Sequence, residues 1–133
     1  MTTLHATLIS PERIVFEGEV RSVVLPGVEG DMTVLPGHAP LATLLLPGIV
    51  FATDTEGHGR RAFLRGGFVE VTGTTVTVLA DGVLPVEELT QEQIDAEVLH
   101  LQTVRDAART EDARVQADIA ISRLEEFKAS LKL

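Results

Sequence analysis

The 133-residue sequence contains no cysteine, tryptophan or tyrosine. The first absence excludes a disulfide scaffold and a thiolate metal site. Because phenylalanine, five times over, is the only aromatic present, any core must be built from Val, Leu and Ile. No lysine precedes Lys128, so the glycine-rich loop with an adjoining lysine that cradles nucleotide phosphates is missing. His5, His38, His58 and His100 stand singly without ligand spacing, and no metal site is expected. None of Ser10, Ser22, Ser122 or Ser130 lies in the context of an activated nucleophile. No catalytic residue is therefore expected, and no cofactor. No stretch of about eighteen apolar residues occurs, and MTTLHATLIS lacks a basic leader region, which predicts neither a transmembrane helix nor a signal peptide. Basic residues are also scarce. Eleven Lys and Arg stand against twenty Asp and Glu, for a net charge of −9. That balance opposes binding to nucleic acid and insertion into anionic lipid.

Glycine and proline are present but confined. All eleven Gly and all six Pro lie before Val86, and the remaining residues contain neither. Ahead of that boundary, short β-branched runs alternate with turn residues every eight to twelve positions or so, the pattern of an antiparallel sandwich or barrel. Nine or ten strands are expected, at 4–9, 13–17, 20–25, 32–35, 42–46, 50–53, 60–64, 68–72 and 75–80. Val69 and Val71 should face the core against Glu70 and Thr72. Val76, Val78 and Ala80 should do so against Thr75 and Thr77. Gly57-His58-Gly59-Arg60-Arg61 reads as a hairpin turn rather than an anion site. The run from Leu44 to Phe51, apolar at nearly every position, reads as a hairpin with one face either buried or offered as a contact surface.

Beyond the boundary the period changes from two to 3.6. Thr90-Gln91-Glu92-Gln93 is a capping box, which starts a helix. Ile94, Val98, Leu101, Val104 and Ala108 form one stripe. Ala113, Ala117, Ala120, Leu124, Phe127 and Leu131 form a second, narrower seam. Thr110 or Asp112 can cap the second helix. The expected class is thus α+β, mainly β: an antiparallel β-sandwich over 1–86, then an antiparallel two-helix hairpin over 87–133, with helices at about 90–108 and 112–131. Without Gly or Pro between them, the same residues could also run on as one long helix.

The densest stretch is GVEGDMTVLPGHAPL, residues 27–41. Pro36-Gly37 is a type II turn signal, since Pro fixes φ at one central position and Gly takes positive φ at the next. A short strand at Met32 to Leu35 would leave Asp31 and His38 near opposite ends of an exposed edge. Such an edge suits a partner, and it equally suits an ordinary β-corner with a histidine beside a turn.

This stretch, with LRGGFVEV at 64–71, VTVLAD at 76–81 and the opening LISPE at 8–12, resembles the epsilon subunit of the bacterial rotary ATP synthase, in order and over nearly the whole chain. The resemblance implies a non-catalytic rotor subunit at the cytoplasmic face of the bacterial inner membrane. Its partners would be the gamma subunit, the membrane c-ring and the alpha/beta catalytic head. It implies that Glu29, Asp31, His38 and Ala39 face the c-ring, and that the apolar run from Leu44 meets gamma. Nucleotide-sensing members carry Ile or Leu-Asp-x-x-Arg-Ala early in the first helix. Here Ile94 and Asp95 match, but Val98 and Leu99 replace Arg and Ala, so no nucleotide site is expected. Inhibitory contacts of the tail with the head would fall to Arg114, Arg123, Lys128 and Lys132. With eleven acidic and six basic residues over 87–133, weak regulation is expected.

Overall fold

A computed structural model describes residues 3–86 and 89–130. The chain divides into two compact units, Met1–Glu87 and Glu88–Leu133.

The first unit contains nine strands among the described residues: β1 (Leu4–Ile9), β2 (Ile14–Gly27), β3 (Gly30–Val34), β4 (Leu41–Leu45), β5 (Gly48–Asp54), β6 (Gly59–Leu64), β7 (Gly67–Val71), β8 (Thr75–Ala80) and β9 (Val83–Pro85). β2 is the organising strand. Its first half pairs with β1, while its second half pairs with β3 and β5 and touches β4 at Gly27. It therefore belongs to two layers. One runs β4, β7, β8, β1 and the start of β2; the other runs β3, the end of β2, β5, β6 and β9. The expected strands at 13–17 and 20–25 are one continuous strand, because Gly18 is tolerated within the ladder opposite Ala6. The sequence reading missed β9, three residues long.

Leu4, Ala6, Val69, Val71, Val76 and Val78 of the first layer, with Val23, Leu25, Val50, Ala62 and Leu64 of the second, form one aliphatic core. The alternation expected in β7 and β8 holds: Val69, Val71, Val76, Val78 and Ala80 are buried. The run from Leu44 to Phe51 is not a hairpin. β4 pairs with β7, and β5 pairs with β2 and β6, so Leu46 and Pro47 carry the chain from one layer to the other. Apolarity on both faces misled the reading, since each strand's inner side chains are core and its outer ones lie on opposite surfaces. The β5–β6 turn spans 55–58, with Gly57 at positive φ and Asp54 accepting from the Glu56 and His58 amides at 2.9 and 2.8 Å. The turn expected at 57–61 thus lies two residues earlier, and Gly59, Arg60 and Arg61 open β6.

The second unit holds α1 (Gln91–Asp106) and α2 (Glu111–Ser130). The capping box at Thr90 is complete. The Gln93 amide donates to the Thr90 hydroxyl at 3.1 Å, and the Thr90 amide donates to the Gln93 side chain at 2.9 Å. Thr110, not Asp112, caps α2, its hydroxyl accepting from the Ala113 amide at 3.1 Å. The helices run antiparallel as two separate segments, with Arg105 of α1 reaching Asp118 of α2 and Asp95 reaching Lys128. Ile94 and Leu101 are buried as expected, as are Ala117, Ala120, Leu124 and Phe127. Val104 and Ala113 are exposed instead, and Glu97 and Ile121 take buried places. The expected seam position Leu131 lies outside the described residues.

Candidate functional site: a sheet face and a free edge

Two surfaces of the sandwich stand out. The first is the solvent face of the layer β4-β7-β8-β1-β2. In register, Leu44 lies opposite Phe68, Phe68 opposite Leu79, Leu79 opposite Ile9, and Ile9 opposite Ile14. Directly opposed residues share a face, so Leu44, Phe68, Leu79 and Ile9 make one row across four strands. Ile14, reached across a register shift between Leu8 and Ile9, extends it to a fifth, roughly 19 Å in all at normal strand spacing. Leu44 is 63% exposed, Ile14 55%, Leu79 49% and Phe68 37%. Isolated exposed leucines are ordinary; a continuous row is the mark of a contact surface. Farther along the same face the register places Ala42, Glu70, Thr77, Thr7 and Glu17 side by side, and then Thr75, His5 and Glu19. The face thus grades from apolar at one end to polar and acidic at the other.

At the acidic end His5 is held between two carboxylates. Its Nε2 lies 3.0 Å from Glu17 Oε2 and its Nδ1 2.8 Å from Glu19 Oε2, while the Thr3 hydroxyl donates to Glu19 Oε1 at 2.9 Å. The bond to Glu17, then that to Glu19, raises the His5 pKa above its ordinary value. The bond from His5, then that from Thr3, lowers that of Glu19.

The second surface is the edge made by β3 and its flanking turns, where the sequence placed Glu29, Asp31, His38 and Ala39. Among the described residues β3 pairs only with β2, so one of its edges is free. Glu29 sits exposed in the β2–β3 turn and Asp31 is exposed on β3. That turn lies at the end of the sandwich where Gly27 meets Leu45 and the Leu46 amide donates to the Pro26 carbonyl at 2.8 Å. The Pro36-Gly37 turn closes as expected, the His38 amide donating to the Leu35 carbonyl at 3.0 Å with Gly37 at a φ of 87°. It belongs to the opposite end, where the Gly37 amide donates to the Gly73 carbonyl at 2.8 Å. The four residues therefore make no compact cluster; a strand about 17 Å long separates the acidic pair from His38 and Ala39. His38 Nδ1 lies 2.7 Å from the Ala39 carbonyl. A carbonyl only accepts, so Nδ1 carries a proton, and the neutral ring presents Nε2 as an acceptor.

The glycines of RGGF have a structural reason. A Cβ on Gly67 would collide with the Leu79 carbonyl oxygen and stand 2.9 Å from Ala80 Cα. Only glycine lets β7 approach β8 there. Residues 3–86 match the family described as "ATP synthase, Delta/Epsilon chain, beta-sandwich domain". The chain belongs to that family. Among its relatives, the ATP synthase epsilon chain of Parvibaculum lavamentivorans is 38% identical over 125 residues, 94% of this chain and 95% of that one. The epsilon chain of Bradyrhizobium sp. (strain ORS 278) is 40% identical over 128 residues, 96% and 91% of the two chains. A chain in the cryo-EM structure of the Euglena gracilis mitochondrial ATP synthase, OSCP/F1/c-ring in rotational state 1, superposes with a TM-score of 0.74 at 24% identity, over 98% of this chain and 82% of that one. One from the Tetrahymena thermophila mitochondrial ATP synthase central stalk/c-ring does so at 0.61 and 12% identity, over 96% and 95%. The epsilon-chain relatives extend the match beyond the sandwich into both helices; the two solved structures support the fold.

The other residues singled out in this epsilon-family chain lie on the hairpin. Val98 is half-buried and Leu99 is 65% exposed, so no guanidinium stands at the fourth position after Ile94. Asp95, which matches the nucleotide-sensing pattern, pairs with Lys128. Glu97, within the same motif, is only 2% exposed and is partnered. Arg114 is exposed, and Arg123 and Lys128 are half-buried; Lys132 lies outside the described residues. Among the described residues, no group of three His, Asp or Glu converges as a metal site and no helix is long and apolar enough to cross a membrane. The apolar row and the His5 cluster escaped the sequence reading because both depend on cross-strand register.

Proposed function

We propose that this chain is a non-catalytic subunit of the central stalk of a proton-translocating ATP synthase, tying the gamma subunit to the membrane c-ring so that torque passes between them. The carrying observation is the apolar row of Leu44, Phe68, Leu79, Ile9 and Ile14 on an otherwise polar sheet face. Family membership supports gamma as the occupant of that row, and the solved structures that share the fold are assemblies holding F1, a central stalk and a c-ring. The chain acts as a peripheral component at the cytoplasmic face of a bacterial inner membrane.

The β3 edge is the c-ring side. Glu29 and Asp31 at one end and His38 with Ala39 at the other offer carboxylate and imidazole acceptors along one line, suited to donors on polar loops. Exposed contacts of this kind are worth about 1 kcal/mol or less each, so the load is shared among many. The hairpin binds no nucleotide and regulates hydrolysis weakly through the alpha/beta head. Lys128 is already engaged by Asp95 and Arg123 is partnered as well; with Arg114 and Lys132 they are the basic residues through which such contacts would run. Truncation after Val86 should leave hydrolysis by the assembled enzyme nearly unchanged.

The test of the docking face is binding of the full chain to the purified gamma subunit. Leu44→Glu places a charge in the row and should weaken binding at least tenfold while the circular dichroism spectrum stays native. Unchanged affinity would remove the row from the interface.

A further inference from the structure

We propose that His5 is a protonation-controlled latch on this docking face: its imidazolium neutralises Glu17 and Glu19 and so favours docking of gamma, and its deprotonation weakens that docking. The inference rests on the gamma-docking reading above.

The geometry requires the charged ring. Carboxylate oxygens only accept, and both ring nitrogens are within hydrogen-bond distance of one, 2.8 Å to Glu19 and 3.0 Å to Glu17. Both bonds exist together only when both nitrogens carry protons. A neutral ring keeps one bond and releases the other carboxylate. The cluster then holds two net negative charges instead of one. Among the described residues no neighbouring cation compensates. On β8, Thr75 lies opposite His5 and Thr77 opposite Thr7, neither ionisable; β1 contributes Thr7, and Thr3 precedes it. The next acid on this face is Glu70 of β7, opposite Thr77, of the same sign. The next cation along β2 is Arg21, whose guanidinium donates to the Thr55 carbonyl of the β5–β6 turn.

The latch and the apolar row share one strand. His5 and Ile9 are four residues apart on β1, on the same face and roughly 13 Å apart. A partner seated on the row excludes water beside the cluster, and desolvating an uncompensated carboxylate costs more than desolvating an ion pair. Lower effective dielectric under the partner also lengthens the reach of the extra charge. The two carboxylates raise the His5 pKa, which places the transition above the ordinary histidine value.

The experiment measures affinity of the full chain for purified gamma from about pH 5.5 to about pH 9, for wild type, His5→Gln, His5→Lys and Leu44→Glu. Wild type should weaken about two- to fivefold across the transition. His5→Gln should be weak and His5→Lys tight at every pH, both without the wild-type step. Leu44→Glu should be weakened throughout. If Leu44→Glu binds like wild type, the docking reading fails and the latch with it. If Leu44→Glu is weakened but wild type is flat, or His5→Gln and His5→Lys keep the wild-type step, docking stands and the latch is overturned.

Discussion

Lys128, near the end of α2, forms an ion pair with Asp95 in the first turns of α1. At the other end of the hairpin, the Arg105 guanidinium lies 3.3 Å from Asp118. Each pair joins the two helices, so the folded hairpin carries two electrostatic ties that a single extended helix would lose. Lys128→Glu replaces attraction by repulsion at one tie. The expected cost to hairpin stability is less than about 1 kcal/mol, because the pair is partly exposed and screened. Thermal melts followed by circular dichroism should show a lower midpoint for the variant at low salt, with the difference shrinking as salt rises. An equal midpoint at low salt would mean that the tie contributes nothing.

Gly67 is the position least able to accept a side chain. Gly67→Ala drives Cβ into β8 at Leu79 and Ala80 and should destabilise the sandwich by about 2 kcal/mol or more. Gly73→Ala is the control. The nearest atom to its Cβ is Gly37 Cα at 4.0 Å, and it should change stability by less than about 0.5 kcal/mol. Urea unfolding midpoints separate the two.

His5 also gives the isolated chain a pH signature. Its folded-state pKa lies above 6.5, so its contribution to stability is complete below the unfolded value and is lost as pH rises through the folded one. Glu19 runs the other way. Its folded pKa lies below 4.5, so its contribution is present above the unfolded value and is lost as pH falls through the folded one. The cluster therefore stabilises most in the window between. His5→Gln should match wild type more closely above the raised histidine pKa than within that window. A gap between the two proteins that is constant with pH would contradict the assignment.

The edge reading predicts a loss of coupling without a loss of folding. Asp31→Arg, in membranes carrying the assembled enzyme, should lower ATP-driven proton pumping relative to ATP hydrolysis, while the purified variant keeps its native circular dichroism spectrum. Unaltered pumping per ATP hydrolysed would take Asp31 out of the c-ring contact.

The sandwich was legible because its information is local. Val69 and Val71 against Glu70, and Val76 and Val78 against Thr77, announce their faces by alternation, and Thr90 with Gln93 announces a helix start. Register is not local. Nothing in the spacing of Leu44, Phe68, Leu79, Ile9 and Ile14 indicates that five strands will align them. Nor does the sequence bring His5 to Glu17 and Glu19 until β1 and β2 pair with Leu4 opposite Val20. The supposed hairpin from Leu44 to Phe51 failed for the same reason: a crossing between layers and a turn within one layer use similar residues. Glu97 reads as a surface charge by residue type, yet it is buried.

The most direct test of the central claim is recovery of partners by the tagged full chain from detergent-solubilised membranes of the source cell, identified by mass spectrometry. Co-recovery of gamma, the c-ring and the catalytic head, lost or sharply reduced for Leu44→Glu, is the predicted result. Recovery of the chain alone, or with soluble proteins only, would contradict it.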